Sequence, residues 1–263
     1  MKTIYASLPF YNSESKQDKV RTSSVIPVHC PKEELPPFLI KLTTDTVATI
    51  TSIKLVSCTG VETDITSGYF SSFPSAIAST ATAMGTYIQY NGGALAQNLP
   101  LGSYYLKLTK SDATYYSDWI SVHNMSSPME KFCTIVFSNT DNIGDLRYEG
   151  SFAQKVWLDA VLNNPTHEIV TTGEERDGIF IAEKMVSKYI HSIITYVPKG
   201  IYRCLVRLSQ HDSITITDEI GDTYTPDVGN ITIDPPEWVE FGIARIVIRF
   251  NDNENTAFGW VTY

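Results

Sequence analysis

The sequence has little of the residue chemistry that marks an enzyme. The motifs GxSxG, GxGxxG, HExxH and GxxxxGK[ST], which position nucleophiles, dinucleotides, zinc ions or phosphates, are absent from its 263 residues. A catalytic dyad or triad is a spatial arrangement, so neither His29 beside Cys30 nor the run 211–213 predicts one. The histidines are dispersed, at His29, His123, His167, His191 and His211. We expect no enzymatic activity and no cofactor.

Cysteine and basic residues are also scarce. The four cysteines show no CxxC or Cys/His zinc spacing, so Cys30, Cys58, Cys133 and Cys204 are expected as buried free thiols. Lysine and arginine total 20 against 29 acidic residues, a net charge of −9. Because nucleic-acid binding needs clustered basic side chains, we expect no specific nucleic-acid partner.

Long apolar runs are missing as well. No stretch approaches the roughly 18 apolar residues of a membrane-spanning helix. The first residues, "MKTIYASLPFYNSES", contain one lysine and a short apolar patch broken by Pro9, without a small-residue cleavage site. We expect synthesis in the cytoplasm of the producing cell and no membrane partner.

What the sequence does contain is β-strand patterning. Segments such as "FLIKLTT" and "VATITSIKLVSCTG" combine alternation, β-branched residues and Pro or Gly boundaries. Near the C-terminus, Ile246, Ile248 and Phe250 alternate with a second set, which predicts one buried face and one wetter face. That second set is Arg245, Val247 and Arg249. The segment "AFGWVTY" is expected to finish the sheet. The fold class is therefore predicted as all-β.

The predicted organisation is two β-sandwich-like domains with an extended N-terminal arm. The arm covers residues 1–17, and its residues Tyr5, Leu8, Phe10 and Tyr11 either pack on a neighbouring subunit or cover a sheet edge of their own domain. The first sandwich is placed at 18–123, a linker at 124–131 and a β-rich second domain at 132–263. Residues 75–84 favour a short helix or a loop over a strand, residues 156–162 suit either strand or helix, and residues 201–226 suggest two strands.

The stretch "LPLGSYYLKLTKSDATYYSDWISV", residues 99–122, predicts a hairpin with aromatic residues in both arms. Simple alternation in the second arm places its side chains on two faces of the strand. One face carries Tyr116, Asp118 and Ile120, and the other carries Tyr115, Ser117 and Trp119. Cross-strand packing is the favoured role for Tyr105, Tyr115 and Trp119. An exposed row of these rings would instead suit a subunit interface or a sugar-stacking surface.

Two acidic groups allow weaker chemical hypotheses. The first contains Glu174, Glu175 and Asp177, and paired carboxylates are what glycoside hydrolysis requires. The second contains Asp218, Glu219 and Asp222, a loose likeness to a calcium loop that lacks its alternating ligands. A solvated loop and a hairpin turn, respectively, are the favoured explanations.

The hairpin resembles a domain ending in structural tail proteins of tailed phages that infect Bacteroidetes, including crAss-like phages. The shared elements are a Pro-Gly break at Pro100 and Gly102, a Tyr-rich strand at 104–105, and the closing stretch Tyr116–Ser117–Asp118. The following "FSNTDNIGDLRYEGSFAQKVWLDAVLNNPTHEIVTTGEERDGIF" is similar to the opening of that family's second domain. The likeness covers roughly residues 95–215.

This resemblance implies a virion component of the tail, the baseplate or the rings beneath the portal. Its partners would be copies of itself in a cyclic oligomer and neighbouring tail or portal-proximal proteins, and a negative lumen would let DNA pass without sticking. The arm, the edge strands and the loop from Ser67 to Gly93 are the expected contact elements. The alternatives are a carbohydrate-binding or receptor-binding tail module and a hydrolase acting through residues 174–177.

Overall fold

In the computed structural model of the protein, the described residues are 8–11, 26–42, 50–70, 77–82, 85–110, 113–127, 130–139, 152–176, 179–226, 229–239 and 242–251. They form eighteen strands: β1 (Phe10–Tyr11), β2 (Val28–Pro31), β3 (Phe38–Lys41), β4 (Ile50–Ser57), β5 (Glu62–Asp64), β6 (Ile77–Thr82), β7 (Gly85–Tyr90), β8 (Gly102–Lys110), β9 (Ala113–His123), β10 (Phe132–Ser138), β11 (Gln154–Asp159), β12 (Leu162–Arg176), β13 (Ile179–Pro198), β14 (Ser213–Thr217), β15 (Thr223–Tyr224), β16 (Ile231–Ile233), β17 (Glu237–Val239) and β18 (Ile243–Asn251). Helix α1 spans Lys199–Leu205, and a 3-10 turn follows at Leu208–Gln210. The predicted all-β class is confirmed.

The largest sheet joins both halves of the chain. Its order is β15-β14-β10-β11-β2-β9-β8-β4-β5, with β1 added beside β9. Strand β2 runs parallel to β9 on one edge and antiparallel to β11 on the other. Strands from both sides of residues 124–131 therefore share one sheet, and a division into two separate sandwiches is not confirmed.

The described part of the N-terminal arm packs on its own chain. Phe10 and Tyr11 pair with Ser117 and Tyr116 of β9. The ring of Phe10 lies 4.9 Å from that of Phe38, and Leu8 is 0% exposed. Covering a sheet edge of its own domain, one of the two predicted roles of the arm, is what residues 8–11 do. Tyr5 lies outside the described residues.

A β-bulge changes the predicted facing of the hairpin β8–β9. Tyr105 pairs with Trp119, but Lys107 pairs with Tyr116, so two residues of β9 lie opposite one residue of β8. Beyond the bulge the alternation of β9 is reversed. Tyr115 and Ile120 consequently share the main core, whereas Tyr116 and Trp119 share a small second cluster. The strict alternation predicted for this arm was wrong.

The second sheet has the order β12-β13-β18-β16, with β17 also on β18. The alternation predicted for β18 is confirmed, because Ile246, Ile248 and Phe250 are at most 1% exposed. On the other face, Arg249 is exposed and forms an ion pair with Asp234 at 2.8 Å. A third sheet contains β3, β7 and β6.

The structure corrects or decides the secondary structure that was predicted for three segments. Residues 77–82 form a strand paired with β7, so neither the predicted helix nor the loop from 67 to 93 is found there. Residues 154–159 are a strand. Two strands are found within residues 201–226 as predicted, at Ser213–Thr217 and Thr223–Tyr224, but the start of that stretch belongs to the helix Lys199–Leu205. Its apolar residues recur at helical spacing, and Pro198 precedes the first turn. The buried members of that stripe are Ile201, Cys204, Leu205 and Leu208.

Some expectations concern other parts of the chain. The segment "AFGWVTY" and Asp177 lie outside the described residues. Of the four cysteines, three are buried as expected, and Cys58 is exposed. Among the described residues, no helix has the length and apolar character that crossing a bilayer requires.

Leu8 is expected to contribute to the stability of the whole fold. Replacing it in Leu8→Ala should reduce the free energy of unfolding by about 2–5 kcal/mol, since the side chain is completely buried and its loss leaves a cavity. Urea unfolding measures the change. Val61→Ala is the matched control, because Val61 is 63% exposed and its truncation should cost little. Equal stability of the two variants would show that the arm does not hold the core.

Candidate functional site

The aromatic residues of the hairpin are buried within the chain. Tyr105 and Trp119 are 5% and 8% exposed, pack edge to face at 5.3 Å, and contact Val56. Tyr115 belongs to the main core. The cross-strand packing favoured from the sequence is what these residues show. Buried rings offer no stacking face for a sugar, and an intersubunit role for them stays a prediction.

The bulge on β9 is the point at which the arm attaches. Ser117 Oγ accepts the backbone N–H of Leu106 at 2.8 Å and donates to the carbonyl of Asp118 at 2.7 Å. The backbone N–H of Asp118 donates to the carbonyl of Pro9 at 2.8 Å. The bulge adds one residue to β9, and the backbone N–H of Asp118 is thereby directed to the arm.

The arm also lies close to helix α1. A Cβ on Gly200 would come within 3.1 Å of Pro9 Cγ, so this position of the helix leaves little room for a side chain. The charge of Arg203 acts on Tyr11 and opposes part of the rise in its pKa. Residues 8–11 therefore lie between the bulge of β9 and the first turn of α1.

Burial sets the electrostatics of this junction. Asp118 is 5% exposed, and burial raises the pKa of its carboxyl to about 6, although the N–H of Trp119 donates to Oδ1 at 2.9 Å. Burial and then the neighbouring Asp118 raise the pKa of Tyr11 to about 12. The junction is a structural contact with one carboxylate that is costly to ionise.

A pair of histidines meets beside β2, although the two residues are 94 positions apart. His29 Nδ1 lies 2.9 Å from His123 Nε2, and His123 Nδ1 lies 3.3 Å from Glu130 Oε2. The ring of Phe132 packs against both imidazoles at 5.3 and 4.9 Å. Burial, and then the nearby His123, lower the pKa of His29 to about 4. No local sequence pattern predicts this pair, because strand pairing alone brings it together.

The second acidic group forms the predicted turn between β14 and β15. Asp218 Oδ1 accepts the backbone N–H groups of residues 220–222 at 3.0, 2.9 and 2.8 Å. Glu219 Oε2 accepts the backbone N–H of Leu162 at 2.9 Å. These carboxylates satisfy backbone donors. No group of three or more His, Cys, Asp or Glu residues suited to a metal ion occurs within the described ranges.

Glu174 and Glu175 of the first acidic group lie in a long two-stranded ribbon, which we define as residues 166–176 of β12 and 179–189 of β13. Glu174 and Glu175 pair through the backbone with Ile181 and Phe180 near its tip. The solvated loop predicted for Glu174 and Glu175 was wrong, because both residues belong to strand β12. An Asp-Gly dipeptide between two strand-like runs is a hairpin signal, and Asp177–Gly178 provided it.

The ribbon continues past Asn251, the last described residue of β18. Strand β18 pairs with β13 only over residues 190–198. At about 3.3 Å per residue, eleven further residues in each strand span roughly 35 Å. No additional strand pairs with either edge of the ribbon among the described residues. Near its base, Glu168 is exposed and Tyr189 is 41% exposed.

Comparison with known proteins found no matching family model, no similar curated protein and no similar solved structure.

Asp118 predicts a stability change that depends on pH. Its folded-state pKa, about 6, is raised above the ordinary pKa of 3.8, so ionisation above pH 6 costs folding free energy that protonation below pH 4 removes. Asp118→Asn should therefore be roughly 1–3 kcal/mol more stable than the wild type at pH 8, with most of the gain lost at pH 4. Urea unfolding at both pH values, with the exposed Asp222→Asn as control, measures this. A gain that is equal at both pH values would contradict the assignment.

His29 predicts a dependence of the opposite sign. Its folded-state pKa of about 4 is below the ordinary pKa of 6.5, so the unfolded chain takes up the proton first and stability falls from pH 6.5 towards pH 4. The stability difference between the wild type and His29→Gln should shrink by about 3 kcal/mol at most over that range. His167→Gln, at an exposed position, is the control. A constant difference across the range would rule out a neutral, half-buried His29.

Proposed function

We propose that the chain is a structural component of a phage tail, which assembles with copies of itself into a ring and docks to neighbouring tail proteins. The resemblance of residues 95–215 to phage tail proteins supports the tail assignment. The ribbon supports assembly as the activity. The proposed location is the virion, after synthesis in the cytoplasm of the host bacterium.

The ribbon is the observation that carries this proposal. A two-stranded hairpin alone is at best marginally stable in water, because it has little core of its own. Its outer edges also carry rows of backbone donors and acceptors that can pair with another chain. Such a long ribbon is therefore well suited to packing against another subunit, and a monomer has little use for it.

Exposed apolar side chains at the base of the ribbon extend the proposed contact surface. Ile194 and Tyr196 are 42% and 51% exposed, and they lie on one face of β13. Their partners on β18 are Val247 and Arg245. Exposed apolar groups with a polar rim are typical of protein interfaces. This face would contact the same neighbouring subunit as the ribbon.

The charge of the chain is consistent with a ring through which DNA passes. A net charge of −9 disfavours adhesion of a phosphate backbone. The junction with β9 makes residues 8–11 of the arm part of the subunit body, so the ribbon is the better candidate for the intersubunit contact.

Shortening the ribbon should abolish self-assembly without unfolding the subunit. Glu168 and Lys188 are opposite each other in the register, so residues 169–187 can be replaced by Asn-Gly, which forms a tight hairpin turn. We expect the wild type to form large species by size exclusion with light scattering, and rings by negative-stain microscopy. The shortened variant should be monomeric and should unfold at a temperature close to that of the wild type.

Ile220→Ser is the control for this experiment, since it removes a 78% exposed apolar side chain outside the ribbon. It should assemble as the wild type does. A wild type that stays monomeric at every concentration would overturn self-assembly. Rings formed by the shortened variant would show that the ribbon does not carry it.

A further inference from the structure

We propose that the ribbons of neighbouring copies join edge to edge, with β12 of one copy hydrogen-bonded to β13 of the next. This inference rests on the proposed ring assembly and names the surface that builds it. The partner is a second copy of this chain. The product is a continuous intersubunit sheet that closes on itself with the ring.

The backbone supplies both halves of the contact. Strand β12 is the terminal strand of its sheet, and β13 is paired with β18 only over residues 190–198. Within the described residues, each ribbon strand therefore has one edge without a strand partner. Neither ribbon segment contains proline, which would remove a ladder donor. Each edge can thus accept a neighbouring strand.

Ring symmetry determines which edges meet and in which direction. A cyclic ring uses heterologous contacts, in which one surface of each subunit meets a different surface of the next. All ribbons then point the same way relative to the ring axis. Strand β12 of one copy consequently meets β13 of its neighbour in the antiparallel direction, which is also the direction in which these strands pair inside one ribbon.

The charges of the two edges are complementary. Residues 166–176 contain three carboxylates and one guanidinium, whereas residues 179–189 contain one carboxylate and two ammonium groups. Opposite charges across strands stabilise pairing, and like charges destabilise it. Pairing of β12 with a second β12 would bring two acidic segments together. Pairing of β12 with β13 joins an acidic segment to a basic one.

Three of these charges can be changed without creating a like-charged pair within the ribbon. Glu174 and Glu175 are opposite Ile181 and Phe180 in the register, and Lys184 is opposite Thr172. Glu168, which is opposite Lys188, is left unchanged. Glu174→Lys/Glu175→Lys makes the β12 segment net basic, and Lys184→Glu makes the β13 segment net acidic.

The test compares the acid-reversed variant Glu174→Lys/Glu175→Lys, the base-reversed variant Lys184→Glu, and the triple variant that combines them. Each of the first two has edges of like charge and should need at least a tenfold higher concentration for half-maximal assembly, measured by light scattering. The triple variant has complementary edges again, with the signs exchanged. It should assemble at a concentration close to that of the wild type.

Asp222→Lys is the matched control, because it reverses one charge, as Lys184→Glu does, at an exposed position outside the ribbon. It should assemble normally. If the wild type forms rings and both reversed variants form them as readily, the edge contact is overturned. The proposed ring function is not affected by that result. A triple variant no better than the reversed variants would likewise overturn it. A monomeric wild type would overturn the proposed function itself.

Discussion

The architecture depends on the backbone pairing of one four-residue strand, β2. Val28–Pro31 is bonded to β9 on one edge and to β11 on the other, so it joins strands from the two halves of the chain. Nearby, Lys155 Nζ lies 2.6 Å from Glu34 Oε2 and also lies over the ring of Trp157. The pairing with β11 is short, and these side chains reinforce it. Without β2 the large sheet would be two sheets.

This body explains why the ribbon is available for another chain. Strand β13 belongs to the five-stranded sheet over residues 190–198, where Ile193 and Val197 are buried in the shared core. The base of the ribbon is therefore held in the body, and within the described part of the chain the outer ribbon contains only its own two strands. A contact element needs both properties, because a rigid base sets the direction of the ribbon and an open edge accepts the partner.

Features of the fold that depend only on residues close together in the sequence were predicted correctly. The alternation of β18 and the turn after Asp218 follow from side-chain period and carboxylate capping, and both are found. Features that depend on distant partners were not predicted. The bulge at Ser117 depends on β8 and the arm, and the His29–His123 contact depends on three strands. The ribbon and helix α1 did have local signals in the sequence, the Asp177–Gly178 dipeptide and the apolar stripe through Ile201. The acidic run and the β-rich composition nevertheless favoured other interpretations.

Two titratable groups near β9, the buried Asp118 and the half-buried His29, act against each other. Burial raises the pKa of Asp118 to about 6 and lowers that of His29 to about 4, so each prefers its neutral form inside the protein. Between pH 4 and pH 6 acidification relieves the cost at Asp118 while it adds a cost at His29. The sum changes less with pH than either contribution does. The combined contribution of these two groups is therefore expected to change little with pH, and only the single variants separate them.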